Sequence, residues 1–253
     1  MAENIKYIGK YTNHLSNKEK EDFLYLFNRV FNLDYSLEWF NWKYIDNIYG
    51  DSYIVFAYHG DNIVGIRSFW RNDIDSNLSY QPCDTAVLKE YRGMGIFSKM
   101  TKIALKEVEG AFIYNFPNEN SLPGNLKLGW EINKYAYLET VWNRGKLKNK
   151  TKYIDHNYLI WKFHKSPLRK YYYYEIDGQT YLLYNRKNNF YYVLGRFNRD
   201  YKNYFEKAGF PILFNYTTEE TMMYKIFKNR ATIVSFHKAE KDIDIPIFKA
   251  DYF

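Results

Sequence analysis

Apolar positions recur at helical spacing twice within the first 110 residues. Behind "SNKE" (Ser16–Glu19), which has capping-box form, Phe23, Leu24, Phe27, Val30 and Phe31 share one face of a 3.6-residue repeat. From Gly95, the residues Ile96, Met100, Ile103, Ala104 and Val108 form a second stripe, which Gly110 ends. A shorter helix starts at Ser36 in "SLEWFNWKY". Between these stripes the pattern changes to β-branched and aromatic runs. "DSYIVFAYHGDNIVGIRSFW" predicts strands over 52–58 and 63–70 around the turn His59-Gly60-Asp61-Asn62. "YQPCDTAVLKE" predicts a strand over 80–88 and "AFIYNF" a buried strand over 111–116. "PNENSLPGNLKLGW" then gives a turn with a short helix, and "KYAYLETVW" a strand over 134–142.

The polar, basic run "NRGKLKNKTK" (143–152) predicts a solvated linker, with a phosphate-binding patch as the alternative. Beyond it the order of elements repeats loosely. "WKFHKSPLR" at Trp161 parallels "WKYIDNIYG" at Trp42, and "YYYYEIDGQTYLLY" makes a second hairpin about Asp177-Gly178. "FYYVLGRF" (190–197) predicts the next strand, Asp200–Ala208 a helix, "FPILFNYT" a strand and "TEETMMYKIFKN" a helix, before "ATIVSFH" closes the series. This matching order is an internal repeat, and it makes the four-tyrosine run a two-faced strand.

Composition narrows the class. A chain of 253 residues holds one large domain or two small ones. Aromatic residues reach 21%, with 28 Tyr, so many rings must be half-buried with a wet hydroxyl, as in a β-rich protein. The net charge of +7 suits an anionic partner such as a nucleotide or CoA, and equally plain solubility. No Lys/Arg run resembles a nucleic-acid arm, so nucleic acid is not an expected partner. The single Cys83 cannot form an internal disulfide. It reads as a small buried residue, and a reducing compartment is expected. No signal core or long apolar run occurs, so the expectation is a cytoplasmic protein without a membrane span. His14, His59, His156, His164 and His237 lack metal-ligand spacing, so no metal is expected.

"YRGMGIFSKM" (Tyr91–Met100) sets two glycines at the start of the second apolar stripe, where Gly is a poor helix former. A strand leading through a Gly-rich turn into a helix N-terminus makes an anion site, because the first N–H groups lack internal partners. Gly93 and Gly95 clear side chains from those amides. The third glycine of the dinucleotide fingerprint is missing, and so is the Gly-Lys-Ser/Thr of a P-loop. In its wider context, "VLKEYRGMGIFSKMTKIAL" resembles motif A of the GNAT superfamily of acyl-CoA-dependent N-acyltransferases. That motif is a strand, then Gln/Arg-x-x-Gly-x-Gly/Ala, then a helix, and Arg92, Gly93, Met94, Gly95 and Ile96 match it in place. The preceding hairpin, "IVG" (Ile63–Gly65) and "LGW" (Leu128–Trp130) sit where the superfamily has them, so the resemblance covers roughly residues 5–142. "RGMGIFSKM" and "FPNENSLPG" are similar to members from bacterial surface-polysaccharide gene clusters.

The resemblance implies an α+β GNAT fold with a mixed central sheet. With the internal repeat it implies two tandem GNAT-like domains. These would be an acyl-CoA-binding catalytic domain over 1–145 and a degenerate one over 152–253, where "VLGRFNRD" offers no counterpart to "RGMG". It further implies acetyl-CoA as acyl donor, with its pyrophosphate on the amides of Arg92, Gly93, Met94, Gly95, Ile96, Phe97 and Ser98. The pantetheine arm would pair along Ala86, Val87 and Leu88, and Asn118 would be a further cofactor contact. The acceptor would be a small-molecule primary amine, by analogy an amino sugar or a nucleotide-linked one, attacking the thioester directly. Trp42, Lys43, Arg67 and Trp70 are expected to line its pocket, with core packing the alternative for the two Trp. Asp84 and Glu119 are candidate bases, directly or through a water, or else caps of a turn and a short helix. The chain departs from the pattern twice: Phe97 stands where Gly or Ala is usual, and Asn125 where many members carry an acidic Tyr. Asn can donate a hydrogen bond but cannot protonate a thiolate. Two rivals remain open, a Fem-type aminoacyltransferase using aminoacyl-tRNA and a non-catalytic CoA-binding module. The aromatic surplus fits a homodimer face, a sugar-stacking groove or the core alike.

Overall fold

A computed structural model describes residues 4–142, 145, 147–228, 230–236 and 243–252 of the chain. They divide into two compact units. Unit 1 comprises Met1–Asn115, Glu119–Glu131 and Ser235–Ile243, and unit 2 comprises Phe116–Asn118, Ile132–Val234 and Asp244–Phe253.

Unit 1 begins with β1 (Ile5–Tyr11), a short edge strand that the sequence pattern did not announce. It is followed by α1 (Asn17–Phe31). The capping box is formed as expected: Glu19 N–H donates to Ser16 Oγ at 3.3 Å, and Ser16 N–H donates to Glu19 Oε2 at 2.9 Å. Phe23, Leu26 and Phe27 bury the inner face, and Asn32 ends the helix in the left-handed region. Next come α2 (Leu37–Phe40), β2 (Tyr53–His59), β3 (Asn62–Arg71) and β4 (Ser79–Val87). After them come α3 (Ile96–Glu107), β5 (Phe112–Asn115) and α4 (Leu122–Lys127). Strands β1 to β4 pair antiparallel in sequence order, and β4 pairs β5 parallel, so the sheet is mixed. One feature differs from the single helix expected at Ser36. After α2 the backbone widens into a π-helical turn over Asn41–Ile45, and both Lys43 and Tyr44 are buried on it.

Unit 2 contains β6 (Glu131–Thr140), α5 (Leu147–Lys150), α6 (His156–Tyr158), β7 (Tyr171–Ile176), β8 (Gln179–Lys187) and β9 (Phe190–Phe197). It continues with β10 (Glu206–Lys207), β11 (Ile212–Thr217), α7 (Met222–Phe227) and β12 (Arg230–Phe236). The strand order is β12-β6-β11-β9-β8-β7-β10, with β9 and β11 parallel. The repeat seen in the sequence has a structural form. Trp161-Lys162-Phe163 lies in a π-helical turn, Leu159–His164, as Trp42-Lys43-Tyr44 does in unit 1. Each π turn leads to a hairpin. Asp177 and Gly178 both have positive φ, 47° and 72°, as a type I′ turn requires. The third strand of each hairpin set carries one bulged residue. The register shifts between Ile66 and Ser68 in unit 1 and between Leu182 and Leu183 in unit 2.

Three expectations change. The helix expected over Asp200–Ala208 is a 3-10 turn, Arg199–Tyr204, followed by β10, because Glu206 and Lys207 pair with Tyr172 and Tyr173 of β7. The strand after Trp130 joins unit 2 and not the first half of the chain, since Tyr137–Thr140 pair antiparallel with β11. The stretch read as a solvated linker is folded where it is described. Leu147 of α5 is 1% exposed and packs with Ile176, Tyr181, Leu183, Val193 and Leu213. Residues 143, 144 and 146, and His237, lie outside the described residues. Among the described residues, no helix is long and apolar enough to cross a membrane.

Candidate active site

Strands β4 and β5 touch only at their beginnings, Ser79 opposite Phe112 and Tyr80 opposite Ile113. From Gln81 onward β4 keeps its β3 partners, with Cys83 opposite Ser68, Ala86 opposite Ile66 and Val87 opposite Gly65. Between Asp84 and Val87 no strand among the described residues pairs with its other edge, and Val87 O accepts from Arg92 Nε at 3.1 Å; such an edge is an acceptor and donor ladder for an extended ligand. Leu88 N–H then donates to Val64 O at 3.0 Å, and Lys89–Tyr91 form one 3-10 turn. Gly93 and Gly95 follow with φ of 79° and 76°, a region that costs any other residue steric strain. Apart from the chain neighbours, no atom of the described residues lies within 4 Å of the place a Cβ would occupy at either glycine. Gly95 is the N-cap of α3, and Lys99 N–H donates to Gly95 O at 3.0 Å, closing the first helical turn. The N–H groups ahead of Lys99 therefore have no intrahelical acceptor and lie at the positive end of the helix dipole. Helix α3 lies close on β3: a Cβ at Gly65 would stand 3.0 Å from Ile96 Cγ2.

Phe97 turns away from this cradle. Its ring lies over the Arg67 guanidinium, with Cζ 4.4 Å from the ring centroid, and it packs against Gly124 of α4, where a Cβ would stand in van der Waals contact 3.4 Å from its Cε1. Arg67 is 3% exposed. Its Nη1 donates to Thr85 Oγ1 at 2.8 Å, while its Nε and Nη2 are buried without a hydrogen-bond partner. Burial, without an anion against it, lowers its pKa to about 10. Next to Gly124, the Asn125 side chain is 1% exposed, and its Nδ2 is also buried and unpartnered. Arg67 and Asn125 thus both hold buried donors without acceptors, which native proteins seldom leave so.

On the other face of the sheet the β4 bulge turns Asp84 out of the ladder, with φ of 42°. Its Oδ2 accepts from Lys43 Nζ at 2.6 Å and from the Tyr44 hydroxyl in a short hydrogen bond. The Tyr44 hydroxyl is also 2.7 Å from Ser68 Oγ, which donates to Cys83 O at 3.0 Å. Burial, then the Asp84 carboxylate, raise the Tyr44 pKa well above its ordinary value, so the phenol stays a proton donor. Lys43 also lies 5.1 Å from the Trp70 ring centroid, and Trp70 Nε1 donates to Lys43 O at 3.1 Å. Trp70 is a core residue, 1% exposed, while Trp42 is half-buried.

The structure therefore gathers Arg92–Ser98, the outer edge of β4, Arg67 and Asn125 on the α3 side, and Lys43 with Asp84 on the opposite side. Glu119 is exposed in the turn before α4, and Asn118 is exposed in a segment belonging to unit 2. Tyr44, Ser68 and Thr85 are members of these clusters that the sequence reading missed. For Tyr44 the one available signal was its place in "WKY", the half of the repeat that "WKF" mirrors.

No protein-family model matches the chain, and neither does any curated protein. Solved structures do. A GCN5-related N-acetyltransferase from Kribbella flavida matches with a TM-score of 0.54 at 10% identity, over 91% of this chain and 71% of that one. A probable N-acyltransferase from Enterococcus faecalis matches with a TM-score of 0.55 at 11% identity, over 91% and 72%. The chain has the GNAT fold. The coverage of these two matches agrees with two GNAT-like domains. Escherichia coli ElaA matches with a TM-score of 0.43 at 17% identity, over 53% of this chain and 91% of that one.

Proposed function

We propose that the protein is an acetyl-CoA-dependent N-acetyltransferase whose catalytic unit is unit 1. The observation that carries this reading is the turn at Gly93 and Gly95, two left-handed glycines that bare the amides at the start of α3. A pyrophosphate fits such a cradle without a metal or a lysine. The outer edge of β4 from Asp84 to Val87 supplies backbone partners for the amides of a pantetheine arm, with Ala86, Val87 and Leu88 nearest the cradle and Arg92 Nε yielding the Val87 carbonyl to it. No metal is needed for this chemistry, in which the amine attacks the thioester carbonyl directly and the thiolate leaves.

Within that reading each group has a role. The Asn125 Nδ2 donates to the leaving sulfur, which a hydrogen bond stabilises without protonating it. The Asp84 carboxylate, its Oδ2 held by Lys43 and Tyr44, accepts the proton of the attacking ammonium through Oδ1. Glu119, in the turn before α4, is the second carboxylate available for that task. Trp42 and Lys43 border the acceptor. The acceptor is a primary amine, and the likeness of "RGMGIFSKM" and "FPNENSLPG" to members from surface-polysaccharide gene clusters favours an amino sugar. That final step rests on analogy of sequence alone.

The test is a thermal melt with and without acetyl-CoA, followed by CoA release with a panel of amino sugars. A ligand at a hundred times its Kd adds about 2.7 kcal/mol, so Tm rises by several degrees. An unchanged Tm at millimolar acetyl-CoA refutes the reading. A raised Tm with no CoA release from any amine turns it into a CoA-binding module.

A further inference from the structure

Unit 2 has its own dividing parallel pair. Strands β9 and β11 pair only over Phe190–Tyr192 and Ile212–Phe214. Past that point β11 keeps β6 on its far side, Asn215 to Thr217 opposite Glu139 to Tyr137. Strand β9 instead takes up the chain after α5: Arg196 N–H donates to Lys152 O at 2.8 Å, and Ile154 N–H donates to Arg196 O at 2.7 Å. This segment fills the place an extended ligand would take along β9, and a Cβ at Gly195 would already meet Ile154 Cγ1 at 2.8 Å. A pantetheine arm has no backbone to pair with here.

What remains of the wedge is a cavity of about 650 Å³. That is the size of a small-molecule site. Its lining is basic: Lys134, Lys148, Lys150, Lys152 and Arg196 stand against only Glu219 and Asp244, an excess of three positive charges. Asp244 is engaged by Lys134 and by Lys152, the latter at 2.6 Å, and Glu139 holds Lys150 at 2.9 Å. Lys148 has no ion pair among the described residues, and Arg196 meets only neutral acceptors, Thr151 O and Gln179 Oε1, both at 3.3 Å. Beneath the charges the wall is apolar, with Leu194, Ile245 and Phe248 each buried. Leu194 is the bulged residue of β9, so an apolar side chain stands where unit 1 has Asp84.

We propose that this cavity binds a phosphate-bearing small molecule, with its phosphates on the lysines of α5 and its strand neighbours and its apolar part on Leu194, Ile245 and Phe248. With Glu139 set against Lys150 the excess is two charges, of which a single carboxylate would balance one and a diphosphate both. Compact, freely rotating ammonium groups suit phosphate as point charges. The site is independent of the acetyl-CoA reading of unit 1.

The probes are inorganic pyrophosphate and ADP, titrated calorimetrically into the full chain saturated with acetyl-CoA. The expected result is one site per chain, weakened about tenfold by the double variant K148E/K150E, with the acetyl-CoA response of the same variant unchanged. If the double reversal does not fold, Lys148→Ala, which breaks no ion pair, is expected to weaken the same probes about threefold. Absence of binding by both probes overturns the proposal. So does equal affinity in wild type and variant, which would put the probe elsewhere. A chain that fails to respond to acetyl-CoA but still binds pyrophosphate in this charge-dependent way would refute the reading of unit 1 and leave this site standing.

Discussion

Arg67 carries a buried positive charge held by one hydroxyl and one aromatic ring. A structural arginine in this position would be met by a carboxylate, so the charge is a cost to folding, and on the proposed reading a bound ligand offsets it. Replacing it with an apolar side chain of similar volume, Arg67→Met, is expected to leave the free energy of unfolding unchanged or to raise it. The same variant should lose stabilisation by acetyl-CoA. Urea denaturation with and without the ligand makes the measurement. A loss of more than about 2 kcal/mol without ligand would assign Arg67 to structure instead. Asp84 is the opposite case. Its side chain and that of Lys43 are 9% and 6% exposed, so Asp84→Asn deprives a buried ammonium of its carboxylate. The expected loss is about 3 kcal/mol in the same urea experiment. A loss below about 1 kcal/mol would mean the pair is as weak as a surface one.

Among the elements, the start of α3 does most to set the proposed chemistry. Gly95 has φ of 76° with empty space in front of it, so the fold itself tolerates a Cβ sterically. Gly95→Ala then costs about 1 kcal/mol of backbone strain and no clash. Its methyl group stands where a phosphate would approach the amides. The expected outcome is a Tm lowered by a few degrees and a lost acetyl-CoA shift, read in one thermal melt series. Normal CoA stabilisation in this variant would move the cradle elsewhere. The π turns act at the same scale. The π turn at Asn41–Ile45 carries two consecutive buried side chains, Lys43 and Tyr44, which continue the buried face of Trp39 and Phe40.

Across the whole molecule the tyrosine content sets an alkaline limit. Burial raises the phenol of Tyr44 well above its ordinary 10.0, takes Tyr11 and Tyr216 to about 12, and raises Tyr58, Tyr171 and Tyr252 as well. The folded chain therefore holds these protons when the unfolded chain has begun to lose them. The stability they represent is complete below pH 10 and declines as pH rises from there through the folded values. Urea midpoints should be level from neutral pH to about 10 and fall beyond it. Tyr44→Phe should flatten part of that fall. A midpoint that rises above pH 10 would contradict the burial of these phenols.

The sequence by itself determined the elements with local causes. The capping box at Ser16, the Asp177-Gly178 turn, the apolar stripe of α3 and the glycines at 93 and 95 all act over a few residues, so periodicity and turn chemistry expose them. For the same reason the repeat was legible as an order of elements before any pairing was known. The tertiary structure alone decided what depends on partners far away in the chain. The sequence marked Phe97 only as a departure from the motif's Gly or Ala, and the packing of β3 and α4 decided its direction, onto Arg67. Asp84 read as a candidate base or the cap of a turn, and a strand bulge together with a π turn some 40 residues earlier paired it with Lys43 and Tyr44. The basic run before Thr151 read as a solvated linker, because its one decisive residue, Leu147, reveals its burial only when the strands of unit 2 close over it.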